Sequence, residues 1–242
     1  MIDAGSINEY IQSLISSDRL GVQVVHHQVM PETPVSWSDL KTALPNELAG
    51  LLPRIGIQRL YRHQAVAIDQ LRCGQHMVVA TPTASGKTLI YNLPLFEMVL
   101  ADAGTRALYI FPLKALAQDQ LRAFDMMASF CKTIQPTARI YDGDTSAWHR
   151  KRIRTEPPNV VMTNPEMLHL TVLAHHPQWA AFLSGLKLVV IDEVHTYRGV
   201  MGSHMAQVFR NYFPPQSKCF SFNLFAPRWK DPASGLARVS SQ

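Results

Sequence analysis

Residues Met77-Val78-Val79-Ala80-Thr81-Pro82-Thr83-Ala84-Ser85-Gly86-Lys87-Thr88 decide the fold. A short apolar run stops at small and polar residues, and Gly-Lys-Thr follows. Leu89, Leu93, Phe96 and Leu100 then recur at helical spacing until Gly104. Strand, small-residue loop and helix in that order form the frame of a phosphate-binding loop. Backbone N–H groups along Thr81, Pro82, Thr83, Ala84, Ser85 and Gly86 and at the helix start would surround the β- and γ-phosphates of ATP, Pro82 excepted as a donor. Lys87 would add a positive charge there, and Thr88 a hydroxyl for Mg²⁺. Thr81 stands where the usual pattern has its first glycine.

The second decisive stretch is Leu188-Val189-Val190-Ile191-Asp192-Glu193-Val194-His195. An apolar run ending in two adjacent carboxylates carries repulsion that a cation would relieve. In a nucleotide-hydrolysing sheet, Asp192 would hold the Mg²⁺ shell and Glu193 would polarise the attacking water. Lys87, Asp192 and Glu193 are therefore the catalytic candidates, with Thr88 and Asp192 as the metal pair.

Between these stretches the chain alternates. Strands are predicted at Met77–Ala80, Ala107–Phe111, Ala138–Tyr141, Val160–Thr163 and Leu188–Asp192, with helical stretches between several of them. That pattern predicts a parallel sheet covered on both faces, a three-layer α/β domain over residues 57–210. Residues 1–56 read as a helical and irregular arm, with Ile7, Tyr10, Ile11, Leu14 and Ile15 on one helix face, Ser6 available as its cap and a short helix near 45–52. Residues 211–242, with Pro214, Pro215, Pro227 and Pro232, read as an irregular tail.

Composition is compatible with this frame. Apolar residues make up 47% and charged residues 17% of 242, which suits a globular domain. No apolar run approaches the roughly 20 residues of a membrane-spanning helix, and the first residues carry no leader signal, so a cytoplasmic protein is expected. Cys73, Cys131 and Cys219 form no paired spacing, and His26-His27 and His175-His176 lack partners at metal-ligand distance in sequence. The net charge of +5 permits an acidic partner without requiring one.

Asp-Glu-Val-His after Ala-Ser-Gly-Lys-Thr resembles the superfamily 2 helicases of the DEAD/DEAH-box group. The intervening text narrows the resemblance: Tyr61-Arg62-His63-Gln64, Phe111-Pro112-Leu113-Lys114-Ala115-Leu116-Ala117-Gln118-Asp119-Gln120, Tyr141-Asp142-Gly143-Asp144-Thr145, Thr163-Asn164-Pro165-Glu166-Met167-Leu168-His169 and Tyr197-Arg198-Gly199-Val200-Met201-Gly202-Ser203-His204 occur in order. Together they are similar to the YprA-like (Mrf-type) DNA repair helicases. The resemblance implies a RecA-like P-loop NTPase domain using ATP and Mg²⁺ and acting on single-stranded DNA. It also implies that Gln64 reads the adenine edge, which its amide can do as both donor and acceptor, with Tyr61 stacking nearby. Pro112, Lys114, Thr163, Asn164 and Pro165 lie at helix starts, whose N–H groups bind phosphates without reading bases. The resemblance makes them single-strand contacts. His149-Arg150-Lys151-Arg152-Ile153-Arg154 is the densest basic run, open to reading as a DNA-facing patch or as a solvated helix face.

The resemblance further implies a Ser-Ala-Thr strand after the Asp-Glu pair and a second motor domain with arginine fingers. Ser-Ala-Thr does not occur in the sequence, and Cys219-Phe220-Ser221-Phe222-Asn223-Leu224-Phe225 is the β-like run available for that strand's place. The expectation is a truncated first motor domain, poor in ATP turnover by itself. The alternative is a non-enzymatic fragment, or a split-helicase subunit acting with a separately encoded second motor domain.

Overall fold

The computed structural model describes residues 4–28, 34–81, 85–212, 221–226 and 236–238, with backbone alone at 4–6, Met201 and beyond Arg210. The chain divides into two compact units, Met1–Val35 and Ser36–Gln242. The first holds helix α1 (Ala4–Ile15) and a 3₁₀ turn at Gly21–Gln23. Ser6, expected as the cap, lies inside that helix. Ile7, Tyr10 and Ile15 are exposed.

The second unit begins earlier than the boundary expected at residue 57. Helices α2 (Asn46–Ala49) and α3 (Leu51–Arg54) carry Leu48 and Leu51, both fully buried in its core, so these residues are not part of an arm. Helix α4 (Arg62–Arg72) leads to strand β1 (Met77–Ala80), and helix α5 (Lys87–Ala101) to β2 (Arg106–Ile110). Helix α6 (Lys114–Ala128) precedes β3 (Ala138–Tyr141), and α7 (Ala147–Thr155) precedes β4 (Val160–Thr163). Short helices α8 (Pro165–Met167) and α9 (Ala180–Leu183) lead to β5 (Leu186–Ile191), followed by α10 (Gly199–Tyr212).

The seven-stranded sheet runs β3-β4-β2-β5-β6-β1-β7, where β6 is Ser221–Ala226 and β7 is Leu236–Arg238. All pairings are parallel except β1 with β7. Residues 211–242 were expected to form an irregular tail whose β-like run, 219–225, was available for a strand's place; β6 overlaps that run and lies inside the sheet. It pairs with β5 (Val189↔Phe222) and with β1 (Val79↔Phe225). The reason is hydrogen-bond accounting: without it, β1 and β5 would each leave a row of backbone groups unpaired in the middle of the domain.

The period of two along the strands sorts the apolar residues into two cores. Ala107, Tyr109, Val160, Met162, Leu188 and Val190 face one side, with Ile68, Phe96 and Phe124. Leu108, Ile110, Val161, Val189 and Ile191 face the other, with Leu168, Trp179 and Phe182. This is the three-layer arrangement expected from the alternation. At the amino ends of β2–β4, Asn159 is 7% exposed. Its Oδ1 accepts from Thr137 N at 3.0 Å, and its Nδ2 donates to Ala103 O at 3.1 Å and Thr105 O at 3.0 Å. The carboxyl ends of the parallel strands all open at the opposite edge of the sheet, where the loops carrying the candidate residues gather. Among the described residues no helix is long and apolar enough to cross a membrane.

Candidate active site

The end of β1 and the start of α5 build the first part of the site. Thr81 follows β1 directly, and its Oγ1 lies 2.6 Å from Ser85 Oγ, closing the loop at its neck. Pro82, Thr83 and Ala84, expected to line the nucleotide, lie outside the described residues. Gly86 adopts φ 71°, and a side chain there would meet Gln64 Nε2 at 2.4 Å. The left-handed backbone thus favours glycine, and a Cβ there would also displace the Gln64 amide. Lys87 Nζ donates to Thr81 O at 3.1 Å, so the ammonium points back across the loop.

Helix α4 braces that loop from outside. Arg72 forks onto Glu97 of α5, with Nε to Oε2 at 2.9 Å, and also donates to Thr42 O at 2.7 Å. On the same helix Gln64 is 3% exposed. Its Oε1 accepts from Tyr61 N at 3.0 Å, and its Nε2 donates to Gly86 O at 3.0 Å. In this arrangement the amide expected at an adenine edge is engaged by the loop. His63 Nε2 lies 3.0 Å from Ser85 O, and burial holds its pKa below the ordinary imidazole value, with the Lys87 charge acting in the same direction. Tyr61 stacks on Trp37, ring centroids 4.7 Å apart at 10°, and on His63 at 5.6 Å. Trp37 and Tyr61 keep 41% and 37% of their surface open.

The second part lies at the end of β5. Burial raises the Asp192 pKa above the usual carboxylate value, and the Glu193 charge adds to this. The Glu193 N–H bond, Lys87 and His195 oppose it. Glu193 N donates to Asp192 Oδ1 at 2.9 Å. Glu193 itself sits at φ 50°, the one described non-glycine residue with positive φ. Its Oε2 lies 3.2 Å from His195 Nδ1. Thr88 Oγ1 donates to Gln120 Oε1 at 3.1 Å, and the Tyr91 hydroxyl donates to the same atom at 3.2 Å. Tyr91 is buried, and burial together with the Asp192 charge pushes its pKa up. Lys87, Thr88, Tyr91, Gln120 and Asp192 therefore converge from α5, α6 and β5. Gln120, Trp37 and His63 had no assigned role in the sequence reading; only contacts across elements distinguish them.

Asp192 and Thr88 are hard oxygen donors, and Asp192 is a desolvated carboxylate with a raised pKa. That donor set fits Mg²⁺ brought in with a nucleotide.

The third part is a row of loop and helix starts. Lys114 opens α6 behind Pro112, with Leu113 exposed, and its Nζ pairs with Asp144 Oδ2 at 2.6 Å. Asn164 caps α8, its Oδ1 accepting from Met167 N at 2.8 Å, with Pro165 in the first position. Thr163 is buried and its hydroxyl donates to Tyr141 O at 2.7 Å, so its side chain ties β4 to β3 and does not face outward. Among these residues Thr163 thus offers no side chain to the surface at the Asn164-Pro165 helix start.

A DEAD/DEAH box helicase family model matches residues 61–222, which include the phosphate loop, the Asp-Glu strand and the start of β6. The chain belongs to the DEAD/DEAH box helicase family. This helicase domain is 40% identical over 209 residues to the ATP-dependent helicase YprA of Bacillus subtilis, covering 85% of the chain and 27% of YprA. It is 38% identical over 206 residues to the ATP-dependent helicase HRQ1 of Saccharomyces cerevisiae, covering 85% of the chain and 19% of HRQ1. Among solved structures, the DUF1998 helicase MrfA bound to DNA and AMPPNP superposes with a TM-score of 0.81 at 36% identity, over 94% of this chain and 32% of that one. The DEAD-box helicase Mss116 bound to single-stranded RNA and UDP-BeF shares the fold, at a TM-score of 0.66 and 19% identity over 78% of this chain and 39% of that one. The helicase domain thus spans about a fifth to a third of the first three.

Proposed function

We propose that this chain is the ATP-binding first motor domain of an ATP-dependent DNA helicase of the repair type. The observation that carries the proposal is the convergence of Lys87 and Thr88 at the start of α5 with Asp192 and Glu193 at the end of β5. In this reading the loop from Thr81 to Gly86 wraps the phosphates, with Thr83, Ala84, Ser85 and Gly86 presenting N–H groups and Pro82 shaping the loop without donating. Lys87 exchanges its bond to Thr81 O for the β- and γ-phosphate oxygens. Thr88 and Asp192 hold Mg²⁺, which when bound offsets the phosphate charge. Glu193, next in the chain, orients and deprotonates a water. Tyr61 with Trp37 offers an aromatic surface to the adenine. Gln64 reaches the adenine edge by giving up its bonds to the loop, so that base binding and loop opening are one event.

Similarity to ATP-dependent helicases supports ATP use, and the DNA-bound MrfA structures support a DNA partner. Pro112, Lys114, Asn164 and Pro165 stand at successive strand ends where a single strand would lie across the sheet. Hydrolysis coupled to movement requires a second motor domain, whose arginine finger contributes roughly 10³–10⁵ in rate in related hydrolases. That domain is either a further part of the same protein or a separately encoded chain. The 242-residue chain by itself is then a slow ATPase.

The test is ATP turnover by the pure 242-residue chain, with and without single-stranded DNA, alongside binding of a fluorescent ATP analogue. Mg²⁺-dependent analogue binding with slow turnover that DNA raises little is the expected result. Absence of analogue binding would overturn the nucleotide assignment. Strong DNA stimulation would overturn the need for a second domain.

A further inference from the structure

We infer that helix α7 carries an exit platform for the single strand, with Trp148 stacking a base and Arg152 and Lys151 facing the phosphates. This deepens the DNA reading above and rests on it.

The sheet order supplies the first argument. The carboxyl ends of β2, β4 and β3 lie side by side, and β3 is the edge of the sheet. They lead respectively to Pro112-Leu113-Lys114, to Asn164-Pro165 and to the turn Asp142–Thr145. A strand crossing the first two loops toward the edge passes over that turn. The next element there is the first turn of α7, whose second residue is Trp148.

The side chains supply the second. Trp148 is 62% exposed, an uncommon placement for an indole with no core to join. It is not loose: the Arg152 guanidinium lies over its ring, 5.6 Å from the centroid, and the His149 ring meets it edge-on at 4.8 Å. Arginine over an indole and an open aromatic face together suit an unpaired base beside a phosphate. Arg152 and His149 also line a groove of ≈ 930 Å³ whose far wall includes Lys114, the residue at the start of α6. One groove therefore joins the proposed DNA contact at Lys114 to Arg152 and His149, the two residues that hold Trp148, and it also carries Asp142, Asp144 and Glu156.

The charges separate roles within the basic run. Arg150 is structural: its Nε donates to Thr145 O at 2.8 Å and its Nη2 to Asp142 O at 3.0 Å and Gly143 O at 3.1 Å, which fixes the turn ahead of the platform. Arg152 pairs with Glu156 at 3.3 Å, both 59–72% exposed, so that pair yields to a phosphate at little cost. Lys151 is exposed. The run read as either a solvated face or a DNA patch is thus divided, with Arg150 inward and Lys151 and Arg152 outward. The partner is single-stranded DNA, because a duplex keeps its bases stacked and offers none to an indole.

The experiment uses the 242-residue chain and fluorescence anisotropy with thymidine oligonucleotides of about 8 and about 20 nucleotides, one within and one beyond the roughly 4–16 nucleotides of a single-strand site. Trp148→Ala should weaken the longer oligonucleotide about tenfold and the shorter one less than twofold. It should leave the salt dependence unchanged, and Trp148→Tyr should restore parental affinity. Arg152→Gln should instead flatten the salt slope by about 0.7 for one lost phosphate contact. Trp148 is exposed, so thermal melting of the alanine variant should match the parent. If the parent binds and Trp148→Ala binds both oligonucleotides equally well, the platform is overturned while the motor assignment stands. If the parent binds neither, the DNA reading fails and the platform with it.

Discussion

Thr88 Oγ1 donates its proton to Gln120 Oε1, 3.1 Å away on the neighbouring helix. That bond directs the hydroxyl's lone pairs away from Gln120, which is the orientation a metal ligand needs. The Tyr91 hydroxyl occupies the same oxygen at 3.2 Å, so Gln120 is held from two sides and cannot swing freely. Gln120 is also on α6, whose first residue is Lys114 at the proposed DNA face. One helix therefore touches both ends of the proposed motor.

The first prediction concerns this bond. Gln120→Leu removes the acceptor and leaves two hydroxyls without it. Nucleotide binding measured in EDTA should be nearly unchanged, whereas the gain in affinity on adding Mg²⁺ should fall by about tenfold, since losing a group that orients a metal ligand typically costs roughly 10–100-fold. Titrating a fluorescent ATP analogue with and without Mg²⁺ separates the two. Equal losses in both conditions would mean that Gln120 only supports packing.

Lys87→Ala should abolish most ATP affinity. Its ammonium reaches across the loop to Thr81 O, where the proposed phosphates would take over that bond. The same analogue titration reads the loss, and parental affinity in the variant would displace the site from this loop. Loss of Lys87 also removes one of the charges opposing the raised Asp192 pKa, so a further upward shift of that carboxyl accompanies the variant.

Much of this was legible in the sequence. Met77–Ala80, Ala138–Tyr141 and Val160–Thr163 are strands with the expected limits, because short apolar runs bounded by turn residues leave little choice. Lys87, Thr88, Asp192 and Glu193 could be singled out because strand-loop-helix order and paired carboxylates are local signals. Residues 36–56 read as an arm because their role is not local, whereas the β-like run at 219–225 is visible and only its recruitment into the sheet is not. Leu48 and Leu51 sit on four-residue helices too short to show a period, and β6 is recruited by open edges on β1 and β5 that no sequence window reveals. Gln120 and Trp37 matter only through partners in distant segments. Gln64 and Thr163 were picked for chemistry, but the fold has turned their side chains toward its own backbone.

Asn159→Leu should destabilise the domain without touching the proposed site. One side chain accepts from Thr137 N and donates to Ala103 O and Thr105 O, carbonyls it shares with the Arg106 guanidinium, so its loss removes three hydrogen bonds at once. Each such bond contributes about 0.5–1.5 kcal/mol. Urea unfolding should give a loss of at least about 2 kcal/mol with nucleotide affinity retained in the remaining folded fraction. A loss within about 0.5 kcal/mol would show that water replaces the amide at the sheet's amino end.

The pH dependence follows from Asp192. Burial raises its pKa in the folded chain above the value it has when unfolded. Such a carboxyl costs stability once pH exceeds the unfolded value, because the native state holds the charged form poorly. Below that value both states are protonated and the cost is gone. Asp192→Asn should therefore raise the melting temperature of the metal-free chain at neutral pH, and the gain should vanish under acid conditions. Adding Mg²⁺ and nucleotide should stabilise the parent more than the variant. Differential scanning fluorimetry in EDTA at the two pH values is sufficient, and a pH-independent gain would trace the effect to packing.

The final prediction separates strain from chemistry at Glu193. This residue holds φ 50°, a left-handed backbone that costs a side-chain-bearing residue roughly 1–2 kcal/mol. Nothing about a general base requires that conformation as such. What requires it is the turn off β5, which puts the carboxylate beside His195 and one residue from Asp192. Glu193→Gln keeps the strain and the shape but removes the base and a negative charge, so Mg–ATP binding should persist while hydrolysis disappears. Glu193→Gly relieves the strain and also removes the base. It should be more stable than the parent by about 1 kcal/mol and equally devoid of hydrolysis. Unfolding curves and turnover measured on both variants decide the point. Turnover surviving in both would move the base to another residue, and a glycine variant less stable than the parent would show that contacts of the Glu193 side chain outweigh its backbone strain.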